Sequence, residues 1–234
     1  FNQSRSFVFE VLFFLRTMMR RAWSHCTSAS IPMPRVDAAL AVGYLLNVPA
    51  NLDPEFRSRG VGASEIYAAM RRHKSLWDLK TGRREPFTGN IYTDTGRALE
   101  RVILDHTGAK HGLTLEDTDS QVHPEHDFLF ASPDAIGVTA LGGRCVVEVK
   151  APQTERSRAK WGESSEGWWG IPCQYRTQVV SQMACLGLDR AVVGAHLGES
   201  QIRTFEVWRD LAWEDEMIER VGEFWQFVVN DEPP

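Results

Sequence analysis

An apolar, β-branched run that ends in two opposite charges is the strongest constraint in this sequence. Cys145-Val146-Val147-Glu148-Val149-Lys150 has the composition of a buried strand. Side chains two residues apart on a strand share a face, so Glu148 and Lys150 project side by side from its end. Thirteen residues separate Glu148 from Asp134, in Ser132-Pro133-Asp134. Asp134 is expected to follow a neighbouring hairpin strand, Phe128-Leu129-Phe130-Ala131-Ser132. Two carboxylates and one ammonium at a sheet edge suit a divalent cation and a scissile phosphate.

Cleaving a phosphodiester requires an in-line water, charge neutralisation at the transition state and help for the departing oxygen, all of which bound metal ions supply. Mg²⁺ is hard and prefers carboxylate oxygens and water. Asp134 and Glu148 are the natural ligands, with the Val149 backbone carbonyl a third. Lys150 would offset charge near the phosphate and position or deprotonate the water; the sequence leaves these roles open. Glu100, in Gly96-Arg97-Ala98-Leu99-Glu100, is a further carboxylate on a helix whose apolar side is filled by Leu99 and Ile103. Singly, each has a plainer reading: a solvated ion pair for Glu148 and Lys150, a turn residue for Asp134, a helix-surface charge for Glu100. The case rests on their conjunction.

The rest of the chain reads as alternating helices and strands. Helices are expected at 36–46, 65–72 (with Ser64 as N-cap and Ile66, Ala69 and Met70 inward), 93–106 (buried stripe Leu99, Val102, Ile103), 175–186 and 210–229. Strands are expected at 114–121, 127–132, 143–150, 190–197 and 201–208. Gln178 and Gln182 fall on one face of their helix at i, i+4. This order predicts an α/β fold, a central mixed sheet with helices on both sides. With 234 residues, 43% hydrophobic, the chain is long enough for one large core, assigned to residues 35–234. Residues 1–34 read as an N-terminal extension with a Ser/Pro-rich linker at 24–34. Its apolar run, Phe7 to Leu15, is interrupted by Glu10 and too short to span a bilayer. It reads as a short amphipathic helix in preference to a signal peptide, and Met33 is an alternative biological start.

The formal net charge of −5 excludes a diffuse basic coat but not a basic channel, because local field outweighs the sum. Cys26, Cys145, Cys173 and Cys185 are scattered, which argues against zinc, a disulfide frame or an iron–sulfur cluster and for a reducing cytoplasm. Trp161, Trp168 and Trp169 sit in a Gly/Ser/Glu-rich loop after Lys150, where they would stack on splayed bases or cover the core. His123 and His126 flank a turn and are expected to be solvated.

Five motifs in order carry a family resemblance: Gly62-Ala63-Ser64-Glu65, Gly96-x-x-x-Glu100, Ser132-Pro133-Asp134, Glu148-x-Lys150 and Tyr175-x-x-Gln178-Val179. Over residues 55 to 200 the chain resembles the phage lambda exonuclease family, the YqaJ-like viral recombinase nucleases of the PD-(D/E)XK superfamily. The resemblance implies the PD-(D/E)XK nuclease fold and a 5′→3′ exonuclease on double-stranded DNA ends. Such an enzyme releases 5′-mononucleotides and leaves a 3′ single-stranded tail. It implies Mg²⁺, with Mn²⁺ substituting and two ions per site. It implies a ring-shaped homotrimer, a single-strand annealing protein as partner, and a phage or prophage protein working in the bacterial cytoplasm with no membrane association.

By position, the resemblance makes Asp134, Glu148 and Lys150 the catalytic core, with Glu100 as a second metal-side carboxylate, Gln178 as a site glutamine and Tyr175 on the same helix. It places a 5′-phosphate pocket at Arg57, Ser64, Ser132 and Arg156, with Arg59 an alternative to Arg57. An arginine fork suits phosphate oxygens. Two departures stand out: Ala135 where the family has Gly, and Val180 where a second Gln is common. Alternatives are another DNA endonuclease of the superfamily, which would cut closed circles, and a non-cleaving DNA-end-binding or recombinase-loading protein.

Overall fold

Pro133 decides how the chain enters its central sheet. Lacking an N–H, proline cannot donate to a strand ladder, and strand β4 (Leu129–Ala131) ends just before it. In the computed structural model, which describes residues 54–162, 170–198 and 201–234, the chain then crosses to a different sheet. There β5 (Ala135–Thr139) forms the antiparallel hairpin with β6 (Arg144–Lys150). The expected pairing of 127–132 with 143–150 is therefore corrected. β4 lies instead between β1 (Val61–Gly62) and β3 (Gln121–Val122) in a separate three-stranded sheet. Asp134 occupies the step between the two sheets. The expected extension at 1–34 and helix at 36–46 lie outside the described residues, as do Trp168 and Trp169.

The central sheet has five strands in the order β2 (Leu113–Glu116), β5, β6, β7 (Arg190–His196), β8 (Ile202–Trp208). Only β6 and β7 pair in parallel, so the sheet is mixed. A parallel pair needs a long crossover, which here carries α5 (Glu155–Arg158) and α6 (Cys173–Leu186). The expected strand at 114–121 is split into β2 and β3, which join different sheets. The intervening Asp117-Thr118-Asp119 favours a turn over a ladder.

Alternation along β6 distributes its side chains between two cores. Cys145, Val147 and Val149 pack with Ile103 and Leu104 of α4 (Ile91–His111). Val146 points the other way, into a core shared with Val179 and Met183 of α6 and with Val221 and Phe224 of α7 (Leu211–Val229). Helices thus cover both faces of the sheet, as the strand's two-sided apolar pattern requires.

α4 outruns its expected 93–106 because its caps lie further out. Asn90 Oδ1 accepts the N–H groups of Tyr92 (3.0 Å) and Thr93 (3.2 Å), and Gly112 ends the helix at φ 60°. The buried stripe is Ile103, Leu104, Thr107 and Gly108. Val102, expected inside, is 58% exposed, because Thr107 lies against Gly194 of β7 and sets the helix rotation.

At the other end of the described chain segment, α1 (Pro54–Ser58) leads into β1. The expected helix 65–72 is a 3-10 turn (Ala63–Glu65) followed by α2 (Ile66–Met70). Ser64 is inside that turn and is not its cap. The Gly62 N–H donates to Glu65 Oε2 (2.8 Å), and Glu65 also pairs with the buried Lys80 of α3 (Lys74–Lys80) at 2.7 Å. A carboxylate held by a buried ammonium takes the place of the hydroxyl cap.

Candidate active site

The hairpin register aligns Ala135 with Val147. One further step places Asp134 across from Glu148, on the opposite face from α4. Asp134 Oδ2 accepts the Val149 N–H at 2.7 Å. Lys150 Nζ donates to Glu148 Oε1 in a short charged contact. Helix α6 completes the cluster from above the sheet. Gln178 Nε2 donates to Glu148 Oε1 and Gln182 Nε2 to Glu148 Oε2, both at 2.6 Å. Glu148 is 1% exposed, and both its oxygens are held by named donors. Tyr175, one turn before Gln178, lies with its ring 5.4 Å from Lys150 Nζ.

Gln182 was not among the sequence-derived site residues, although its i, i+4 spacing to Gln178 was the available signal. The departure at Val180 falls on the other side of α6, buried in the core, and leaves these amide contacts untouched. The second amide comes from one turn further along the helix. The other departure is equally benign. Ala135 opens β5 in the second core without a positive φ, so glycine's conformational freedom is not needed.

The electrostatics of the cluster follow from burial. Desolvation, reinforced by Glu148, pushes the Asp134 carboxyl up from 3.8 to about 7, against Lys150 and the Val149 N–H. Burial opposes the Lys150 charge, but Glu148 and Asp134 outweigh it and hold the ammonium above the ordinary lysine value. Among the described residues no group of three His, Cys, Asp or Glu side chains forms a metal cluster. The two neighbouring carboxylates, with the Val149 carbonyl expected from the sequence, would make a hard oxygen set that fits Mg²⁺ or Mn²⁺. A cation shared by Asp134 and Glu148 would remove the repulsion that raises Asp134.

The remaining predicted residues are less tightly drawn in. Glu100 is exposed on α4, close enough to raise Asp134 weakly through its charge. Ser132 is exposed and shares a short hydroxyl contact with Ser120. The parallel β1–β4 register aligns Gly62 with Phe130, so Ser64 and Ser132 each follow a paired position by two residues. Arg57, Ser64 and Arg156 are exposed, and no hydrogen bond or ion pair among the described residues joins them to the Glu148 cluster. Arg57 contributes its carbonyl to Lys80 Nζ at 2.8 Å.

Trp161 takes the second of its two expected roles and covers the core, whereas the expectation for His123 is overturned. Trp161 is buried at 6% exposure, stacked on Tyr175 with ring centres 5.4 Å apart and against Phe205 at the same spacing. It braces Tyr175 and does not present a face to bases. His123 is buried, and its Nδ1 accepts the N–H groups of Glu125 (3.1 Å) and His126 (3.2 Å). Burial, then His126, lowers its pKa, so it is a neutral turn-holding residue. Cys145 and Cys185 are buried free thiols, the latter pushed up to about 12 by desolvation, while Cys173 is exposed.

Known proteins share this fold. The model of the YqaJ-like viral recombinase domain matches residues 54–189, more than half of the chain. The alkaline exonuclease LHK-Exo from Laribacter hongkongensis superposes with a TM-score of 0.59 at 19% identity, over 76% of this chain and 94% of that one. LHK-Exo in complex with dAMP gives 0.60 at 18% identity, over 76% and 91%. A phage related exonuclease from Haemophilus somnus 129PT gives 0.52 at 14% identity, over 74% and 96%. No curated protein matches by sequence. The structural likenesses establish the fold, and Pro133-Asp134 with Glu148-Val149-Lys150 spell the PD-(D/E)XK pattern before β5 and at the C-terminal end of β6, the middle strand of the central sheet. The chain belongs to the YqaJ-like viral recombinase domain family and has the PD-(D/E)XK nuclease fold.

Proposed function

We propose that this protein is a metal-dependent exonuclease that enters double-stranded DNA at its ends. It degrades one strand 5′→3′, releases 5′-mononucleotides and leaves a 3′ single-stranded tail for recombination by strand annealing. The observation that carries this reading is the convergence of Asp134, Glu148 and Lys150 at the C-terminal end of β6, backed by two glutamine amides. The family match and the exonucleases among its structural neighbours point the same way.

In this reading Asp134, Glu148 and the Val149 carbonyl would hold Mg²⁺, with Mn²⁺ able to substitute, and Glu100 would be the carboxylate available to a second ion. When bound, the metal polarises the scissile phosphate and acidifies the attacking water. Lys150, kept charged by its two carboxylates, neutralises a non-bridging phosphate oxygen and orients the water. Gln178 and Gln182 keep both oxygens of Glu148 fixed through the cycle, and Tyr175 lines the approach. Water adds to phosphorus as the P–O3′ bond breaks, and the 3′ oxygen leaves with a proton. The terminal nucleotide departs with a free 3′-hydroxyl, and the next residue keeps a 5′-phosphate. Arg57, Ser64, Ser132 and Arg156 receive that new end, and its extra charge draws the duplex onward. A homotrimeric ring around the duplex and a single-strand annealing protein complete the assembly in the bacterial cytoplasm. No helix among the described residues is long and apolar enough to cross a membrane.

A single gel tests the reading. Linear duplexes labelled at either terminus are incubated with Mg²⁺ or EDTA beside a supercoiled plasmid. Expected are early loss of the 5′ label as mononucleotide, persistence of the 3′ label, an intact plasmid and no reaction in EDTA. A cut plasmid would reassign the site to an endonuclease. Inert linear DNA with Mg²⁺ present would make the chain a binding module.

A further inference from the structure

Helix α6 has two polar faces, and only one serves Glu148. At about 100° per residue, Tyr175, Gln178 and Gln182 cluster on one side. Cys173, Arg176 and Thr177 fall on another. That second side lines a cleft of about 400 Å³ whose other walls are Tyr67 and Arg71, from α2 and its C-terminal end, and Trp213 and Arg220 of α7. Guanidinium groups from three separate parts of the fold thus converge on one depression, in a chain whose formal charge is −5. Two of the walls are aromatic.

Among the described residues the charges in the lining sum in favour of an anion, with three arginines against one carboxylate, Asp210. Asp210 is committed to capping α7 through the Trp213 N–H. Arg71 Cζ lies 5.6 Å from the centre of the Tyr67 ring, and Arg176 Nη2 lies 2.6 Å from Cys173 Sγ. Arg220 pairs with Glu216 at 2.8 Å, but both side chains are half-exposed, and such i, i+4 surface pairs hold weakly. A phosphate displaces that contact easily. Beyond Arg220 the rim turns acidic at Glu219 and Glu223, where Arg72 is already paired with Glu223 at 2.7 Å. An anion is therefore directed to the Arg71–Arg176 side.

We propose that this cleft is a second, non-catalytic nucleotide site, occupied by a phosphate and base of single-stranded DNA. Arginine forks take the phosphate bidentately, and Tyr67 and Trp213 offer π-faces to a base, the combination that holds single strands without reading sequence. The volume suits one nucleotide unit. The cleft lies on the side of α6 turned away from the Gln178 and Gln182 contacts to Glu148, so it is a site apart from the cleaving cluster. The source of the strand rests on the exonuclease reading; the anion- and base-binding chemistry of the cleft does not. Free mononucleotide shares that chemistry and is the competing source.

The test is fluorescence anisotropy of a short labelled oligothymidylate in EDTA, comparing wild type with Arg71→Ala/Arg220→Ala, two positions outside the Glu148 cluster. Expected are binding weakened about tenfold or more and a shallower salt dependence, by roughly 0.7 in log–log slope for each phosphate that is no longer neutralised. Blunt-duplex binding and the rate of digesting a blunt end should stay within twofold of wild type. Thymidine monophosphate should compete only weakly. Unchanged oligonucleotide affinity and slope in the variant would overturn the proposal. So would tight monophosphate competition with unchanged oligonucleotide binding, which would make free nucleotide the occupant. Failure here alongside normal Mg²⁺-dependent digestion by wild type removes the cleft alone. Absent digestion by wild type, with the binding difference intact, removes the exonuclease reading alone.

Discussion

Asp134→Asn should stabilise the metal-free protein while abolishing its activity. The Asp134 carboxyl is held at about 7 against an ordinary 3.8 by burial and by Glu148. Between those values the folded state keeps a proton that the unfolded state has lost. Stability therefore falls as pH rises through that window, and the full penalty is present above about pH 7. The difference corresponds to roughly 4 kcal/mol, at about 1.4 kcal/mol per tenfold change in proton affinity. Asparagine removes the charge, keeps an oxygen for the Val149 N–H (2.7 Å in the wild type) and turns an N–H₂ toward Glu148. Urea unfolding in EDTA at pH 8 should show the variant more stable, by up to roughly 4 kcal/mol, with the gap closing as pH approaches 4. Adding Mn²⁺ should stabilise wild type and leave the variant nearly unmoved. A variant no more stable than wild type at pH 8, or a gap independent of pH, would refute the argument that Asp134 is a strained, buried carboxylate awaiting a cation.

The same geometry has further consequences. Lys150→Ala should eliminate cleavage with DNA binding retained, read by paired digestion and gel-shift assays; turnover near wild type would remove Lys150 from the mechanism. Gln182→Leu strips one donor from a fully buried carboxylate and should cost about 1–3 kcal/mol in unfolding. It should also lower kcat more than it raises KM, whereas a purely structural amide would leave the kcat of the folded fraction intact. Gly194→Ala would drive a methyl into Thr107 Oγ1 and to 3.1 Å from Ile103 Cγ2, a destabilisation of about 1–3 kcal/mol. Adding Thr107→Ala should recover part of it in the same thermal melts, by a non-additivity diagnostic of contact.

The strand that carries Glu148 and Lys150 was legible because its signal is local. Cys145 to Lys150 carries its burial, its period and its charges in six consecutive residues, and β6 lies at Arg144–Lys150. The hairpin partner was not legible in the same way. Phe128 to Ser132 is as apolar as Ala135 to Thr139, and only Pro133 distinguishes the strand that ends from the one that begins. Helix ends followed their caps more than their apolar stripes: Asn90 and Gly112 lengthen α4, and Asp210 starts α7. Val102 was misread because the stripe of α4 is set by Thr107 against Gly194, a long-range approach that periodicity does not encode. At the site, the spacing of Glu148 and Lys150 fixed their side-by-side projection. Gln182 went unassigned because its role depends on where α6 lands on the sheet. The sequence left Trp161 open between two roles and misplaced His123 for a related reason: an aromatic or imidazole in a polar stretch carries no local mark of the core that closes over it.

The central claim is that Asp134 and Glu148 share a divalent cation beside Lys150. Crystals grown with Mn²⁺ and recorded for anomalous scattering test it directly. Expected is a peak between the two carboxylates, within coordination distance of the Val149 carbonyl and lost in Asp134→Asn. A peak elsewhere, or none between Asp134 and Glu148 at a Mn²⁺ concentration that supports cleavage, would contradict the claim.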